Sequence, residues 1–339
     1  LAALETMLRR DAAAALVHVP HAAKGALVAA LAQRQRVAWI ARDPEVAERV
    51  AATVSSWVVD PSAVLLLEPR SALPFERGEL AVDESAGRVA TLAAWRSAAG
   101  ARVLVTSLLA AMQPTIAVGD VAAESVTLRP GERMALDEVA RRALALGYTA
   151  VPLVGSRGEI ARRGGIVDLF PAGATLPIRI EWFGDEIESI RAIDPGTQRS
   201  GAHLEVVRLL PASEFQLDAA RVAAARSVAE RLAAIDGDPL PSRLAEDLAR
   251  WESSCAATPN GVAEAGDGLE LWAPIIAPSR ALDEFGDALV VLDEPAELLQ
   301  VAASLARQAE ERRDALRTTR LLPTNWPSPL DRKSTRLNS

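Results

Sequence analysis

Cysteine is all but missing from this chain. Cys255 stands alone, so no internal disulfide framework can form, and the usage fits a reducing cytoplasm. A lone thiol of this kind is expected to be a small buried side chain. Histidine is equally scarce. His18, His21 and His203 with one cysteine cannot build a His/Cys cluster, so no metal site is expected. Aromatic residues make up only 4 % of the chain, and Tyr148 is its single tyrosine. Positive charge is in deficit: 37 Lys and Arg against 45 Asp and Glu leave a net charge of -8. That excludes a whole-protein basic field for nucleic acid, though not a local basic patch. No apolar run reaches the roughly 18 residues of a membrane span, so no membrane partner is expected. The opening LAALETMLRRDAAAALVHV lacks the order of a secretory signal. It also lacks an initiating methionine, which suggests a start inside a longer reading frame. The last nine residues, DRKSTRLNS at 331–339, resemble a translated sequencing adapter and are set aside from fold reasoning.

What is present suits a soluble globular chain. Half of the 339 residues are hydrophobic and 24 % are charged, enough for two or three compact units. Residues 1–119 alternate short β-branched runs (Ala14–Val19, Val37–Ile40, Ala63–Leu67, Arg102–Thr106) with helical stretches at Lys24–Gln35, Glu45–Ser55 and Glu84–Ala98. This βαβ rhythm predicts α/β architecture, an open parallel sheet with helices on both faces. Residues 120–205 change character. A helix over Leu136–Leu146 should end at Gly147. Then Thr175–Phe183 alternates, with Ile178, Ile180 and Trp182 on one face and Arg179, Glu181 and Phe183 on the other. Gly184-Asp185 follows as a two-residue hairpin turn. The expectation is an α+β insert with an antiparallel sheet. From 206 to 322 the parallel rhythm returns, with strands at Glu205–Leu210 and Ala288–Leu292 and helices at Leu217–Asp236 and Pro295–Leu316. Residues 323–330 read as the start of a linker.

Three stretches carry candidate chemistry. A phosphate loop needs GxxxxGK[ST], glycines for backbone wrapping, Lys for charge and a hydroxyl for magnesium. The equivalent here runs from His18 to Gly25. Lys24 is in place, but His18 and Ala23 replace both glycines and Gly25 replaces the hydroxyl, so nucleotide is not expected to bind. Asp293-Glu294, after an apolar strand, resembles a magnesium-holding acidic pair. With no loop to serve, and with Pro295 behind it, it reads better as a helix start. In the third stretch, Arg162-Arg163-Gly164-Gly165 sits before a strand. Arg163, Arg179 and Phe183 could converge on one exposed sheet face, since Arg and aromatics are enriched in interface hot spots. A solvated sheet face with ordinary salt bridges fits the same pattern.

A resemblance separates these readings. GExxxRGGIxDLFP followed by PxRIExFGDEIESIRxxDPxTQRS, between Gly158 and Ser200, closely resembles the signature of the transcription-repair coupling factors. Leu73-Pro74-Phe75-Glu76-Arg77, Leu128-Arg129-Pro130-Gly131 and Leu209 to Phe215 agree in order. The resemblance implies a degenerate P-loop-ATPase-like domain, similar to the repair helicase subunit UvrB, interrupted by an insert that holds UvrA. It assigns the UvrA contact to Arg163, Arg179 and Phe183. It implies no catalysis and no cofactor in this piece. ATP, magnesium, RNA polymerase and DNA would be handled by other domains of the parent translocase, in whose resting state the UvrA-facing surface is masked. UvrB itself is the nearest alternative, but it needs an intact loop and a tyrosine-rich hairpin that clamps DNA. A stand-alone helicase domain, or a DNA-binding module using Arg162, Arg163 and Arg179, are the others.

Overall fold

The computed structural model describes residues 18–78, 80–97, 102–258, 261–263, 266–277, 279–328 and 330. The run Ala14–Val19, expected as a strand, lies mostly outside them; its last two residues, His18 and Val19, are irregular. In chain order the parallel region contains α1 (His21–Ala32), β1 (Val37–Ala41), α2 (Pro44–Ser55), β2 (Val64–Leu67), α3 (Val82–Arg96), β3 (Val103–Ser107) and α4 (Leu108–Met112). The chain continues with β4 (Pro114–Thr115), α5 (Val118–Glu124), β5 (Val126–Leu128), α6 (Leu136–Ala145), β6 (Thr149–Ala150), β7 (Glu159–Arg163) and β8 (Ile166–Leu169). Next come β9 (Ile178–Phe183), β10 (Glu186–Ile193), β11 (Ser200–His203), β12 (Val207–Leu209), α7 (Ala219–Asp236), α8 (Ser242–Ala257) and α9 (Leu269–Ile276). The last elements are β13 (Ser279–Arg280), β14 (Leu289–Leu292) and α10 (Pro295–Thr318).

β1, β2, β3 and β14 form one parallel sheet in the order β14-β1-β3-β2. Alternation along β1 decides which helices cover which face. Val37, Trp39 and Ala41 pack with Val28 and Leu31 of α1 and Ala47, Ala51 and Val54 of α2. Ala38 and Ile40 pack with Leu92 and Trp95 of α3 and Leu298 of α10 on the other side. The expected two-sided α/β layering is therefore present. α1 begins three residues earlier than expected because Pro20, with φ -57°, takes the N-cap position and needs no donor.

The insert is a six-stranded sheet in the order β11-β10-β9-β8-β7-β6, antiparallel except for the β6–β7 pair. α6 covers one face with Val139 and Ala143, and ends as expected: Gly147 and Tyr148 N–H donate back to Leu144 and Ala143 carbonyls, at 3.0 and 3.1 Å. Arg162 and Arg163 end β7, and Gly164-Gly165 makes the turn into β8, the strand that these four residues precede as expected. One expectation fails here. β12 does not return to the parallel sheet. It pairs antiparallel with β5, so the two strands close the stem of the insert.

After the stem, the short turn Ala281–Phe285, β14 and α10 rejoin the parallel sheet region. α7, α8 and α9 gather around Trp251, Trp272 and Trp326, whose rings meet edge to face at 5.5 and 4.9 Å. Residues 323–328, read as the opening of a linker, are thus packed. Trp326 is fully buried and its Nε1 donates to the Leu271 carbonyl at 2.9 Å.

α3 ties the units together. Its Ala86 and Val89 belong to the insert core, its Leu92 and Trp95 to the parallel sheet. Between them Arg88 donates from Nε to both oxygens of Glu214, at 2.9 and 3.0 Å. Arg70 binds the same Glu214 and also Glu270 of α9, while its Nη1 reaches the Pro114 carbonyl at 2.9 Å. All four side chains are buried. Burial opposes ionisation of Glu214, but Arg70 and Arg88 outweigh it and hold its carboxyl below the ordinary range.

Candidate functional site

Two places collect the residues singled out in the sequence. The first lies at the carboxyl end of the parallel sheet, where α1 starts beside the end of β14. Lys24 Nζ donates to Asp293 Oδ1 at 2.6 Å and to Glu294 Oε1 at 2.8 Å. Burial works against the Lys24 charge, yet the two carboxylates prevail and raise its pKa. Lys24 in turn lowers that of Glu294. Glu294 does stand at the start of α10, with Pro295 behind it, but no carboxylate caps that helix. The pair opens the helix as expected, and both carboxylates also face Lys24. A cleft of about 330 Å³ adjoins them, lined also by Arg42, Arg49, Thr53 and Glu297. That volume suits a small ligand. Two of its cations, however, are already engaged: Lys24 as above, and Arg42 with Glu297 and Asp43. A Cβ on Gly25 would lie 2.6 Å from Thr53 Cγ2, so helix α2 crowds the site where the hydroxyl would stand. His18 and His21 are exposed at the rim, and Ala23 sits in the first turn of α1.

The second place is the outer face of the insert sheet. Register puts Arg163 opposite Ile166, Ile166 opposite Glu181, and Asp168 opposite Arg179. Side chains on paired residues share a face, and so do residues two apart. Arg163, Arg179 and Phe183 therefore stand on one face, with Ile178 and Ile180 buried on the other. Arg162 points the opposite way and pairs with Asp137 of α6 at 2.5 Å. A patch built jointly from Arg162, Arg163 and Arg179 does not exist. Arg179 forms a two-pronged pair with Asp168, Nε to Oδ1 at 2.7 Å and Nη2 to Oδ2 at 2.8 Å. This pair, more than the burial that opposes it, raises the Arg179 pKa. Arg163 gives Nη2 to the Pro152 carbonyl at 2.9 Å and is otherwise exposed. Phe183, at the hairpin tip beside Gly184, keeps 81 % of its surface in solvent.

Asp168 is the residue that sequence reasoning missed. The signal was available: a two-residue turn at Gly164-Gly165 fixes β7 against β8 and sends Asp168 to the arginine face. Tyr148 is buried, its hydroxyl accepting from the Ala172 N–H at 3.2 Å, so it offers no stacking surface. Cys255 is buried as expected and its thiol donates to the Leu217 carbonyl. Among the described residues no His, Cys, Asp and Glu grouping could hold a metal ion, and no helix is long and apolar enough to cross a membrane.

Comparison with known proteins falls on the same region. Residues 126–215, from the first stem strand to just past the second, match the UvrB interaction domain family. The transcription-repair-coupling factor of Mycobacterium bovis is 31 % identical over 268 residues, covering 74 % of this chain and 20 % of that protein. That of Escherichia coli K12 is 32 % identical over 208 residues, 61 % of this chain and 18 % of its own length. That of Haemophilus influenzae is 43 % identical over 91 residues, 27 % of this chain and 8 % of its own. The chain spans about a fifth of the length of the first of these relatives. Its residues 126–215 belong to the UvrB interaction domain family, carried in a chain that is similar along most of its length to transcription-repair-coupling factors.

Proposed function

We propose that this chain is a UvrA-recruiting module, the adaptor through which a coupling factor links stalled transcription to nucleotide excision repair. The observation that carries the reading is Phe183. A large ring left 81 % exposed at a hairpin tip, beside the Arg179–Asp168 pair, is a poor use of an aromatic side chain unless a partner covers it. Arg163 completes the contact from two strands away. The residues lie within the matched UvrB interaction domain, which supports UvrA as the partner.

The parallel domain acts in this reading as a degenerate ATPase-like scaffold that holds no nucleotide. Its Lys24, the one loop residue in place, is neutralised by Asp293 and Glu294. ATP, magnesium, RNA polymerase and DNA belong to other parts of the parent protein. The test is a titration of UvrA with the wild-type chain beside Arg179→Ala and Phe183→Ala. Loss of about thirty-fold in affinity in either variant is expected for a hot spot. A folded wild type that leaves UvrA unbound would remove the adaptor role.

A further inference from the structure

On the same sheet face a third arginine stands without a partner. Arg191 of β10 lies directly across from Arg179 of β9, and on its other side across from His203 of β11. Two arginines in facing positions repel unless an anion sits between them. Asp168 already commits its two oxygens to Arg179. Glu181, the nearest carboxylate on β9, accepts from Ser189 Oγ at 2.7 Å. Among the described residues no hydrogen bond or ion pair reaches the Arg191 guanidinium, and its Nε is buried with no acceptor. The backbone is irregular on both sides of it. The pairing with β9 slips by one residue between Ile187 and Ser189, and the pairing with β11 slips between Arg191 and Ile193. Bulges of this kind re-aim side chains next to sites. Here the first one turns Arg191 onto the face of Arg163, Arg179 and Phe183.

We propose that Arg191 is a further contact residue of this face and takes a carboxylate from the partner's surface. The inference rests on the adaptor reading and divides its labour. Arg179 meets the partner with most of its fork already held by Asp168, so it presents a fixed, largely neutralised plate beside Phe183. Arg191 and Arg163 carry the uncompensated charge. The surface that docks here is therefore acidic where it meets β7 and β10, and apolar where it meets the hairpin tip.

The experiment is a titration of UvrA with the full 339-residue chain, wild type beside Arg191→Ala and Arg191→Lys, at two salt concentrations, with thermal unfolding of each. Arg191→Ala should weaken binding about ten-fold or more and flatten its salt dependence. Arg191→Lys should recover part of the loss through its charge alone. The melting temperature of Arg191→Ala should hold or rise, because a facing like charge has gone. Affinity within about two-fold of wild type would overturn the inference and leave the adaptor reading standing. Weakened binding that tracks a lowered melting temperature would reduce Arg191 to a structural residue. A folded wild type that does not bind would overturn both.

Discussion

The cleft at Lys24 and the face at Arg179 hold the same kinds of side chain and treat them in opposite ways. In the cleft, two of the three Lys and Arg side chains are matched from within the chain, Lys24 by Asp293 and Glu294 and Arg42 by Glu297 and Asp43, with only Arg49 unpaired among the described residues. On the insert face one arginine is matched and two are not, and an aromatic ring stands free beside them. A site that has closed on itself offers a ligand little, because binding must first break what is already made. A site that leaves charge and apolar area uncovered has something to gain from a partner. The difference supports the proposal that the degenerate loop serves as scaffold and the insert as the working surface.

The largest expected effect tests whether the two regions are one mechanical body. Glu214 joins them by accepting from Arg70 and Arg88 in full burial. Glu214→Gln leaves two buried guanidiniums with only Glu270, and should cost about 3–5 kcal/mol, read as a lowered urea midpoint. The pH dependence has a definite sign. The Glu214 carboxyl is held below its ordinary value in the fold, so its contribution is complete above the unfolded pKa of about 4.3. It is lost as pH falls through the lower folded value. Glu214→Gln should therefore show a flatter acid limb than wild type. An unchanged midpoint would mean that the hub holds nothing.

Next in size is the cleft itself. Lys24→Met leaves Asp293 and Glu294 facing each other without a cation. The Lys24 and Asp293 side chains are 11 % and 7 % exposed, and Glu294 is 47 % exposed. The loss should lie between those of exposed and buried pairs, about 1–2 kcal/mol by thermal unfolding. UvrA affinity should not move. If the melt is unchanged and ATP binds wild type by calorimetry, the cleft is a live site and the comparison fails.

How much of this could be read from residues alone depends on the range of the interaction. The hairpin β9–β10 was legible because its determinants are local: alternation through Ile178, Ile180 and Trp182, then Gly184-Asp185. The degenerate loop is read from signals of the same local kind, His18 and Ala23 at the glycine positions and Gly25 at the hydroxyl position. α8 was not read, although Leu244, Leu248, Trp251 and Cys255 stand at helical spacing and are all buried. The stem was misread because β12 meets its partner β5 across some eighty residues, where no local pattern reaches. Arg191 was hidden by a bulge. A regular hairpin from Phe183 opposite Glu186 would set Ile190 against Arg179 and turn Arg191 inward. Ile187 and Ile190 are both buried although three apart, which a regular strand does not allow. That odd spacing is the trace in the sequence, and it can be read once one knows to look for it.

A smaller effect concerns how the face is presented. Gly184 turns the hairpin with φ +62°, and nothing crowds the space where its side chain would be. Gly184→Ala thus introduces backbone strain without a clash, about 1 kcal/mol of stability. It should also shift Phe183, its immediate neighbour, and weaken UvrA binding by more than its stability loss alone would do. Equal stability and equal affinity would show that the tip is not held as described.

The smallest expected change in stability is the sharpest test of the contrast, and it falls on Phe183. The ring keeps 81 % of its surface in water in the folded chain, so folding gains little from it. Phe183→Ala should move the unfolding free energy by less than about 0.5 kcal/mol, in the range of surface substitutions. Covering the same ring against a partner withdraws most of its area from water, worth about 2 kcal/mol or roughly thirty-fold in affinity. Stability and affinity are thereby separated at one side chain, whereas at Lys24 stability alone should respond. A fall in stability comparable to the fall in affinity would mean that Phe183 packs within this chain. The ring would then belong with Lys24, among the groups the molecule has already satisfied for itself.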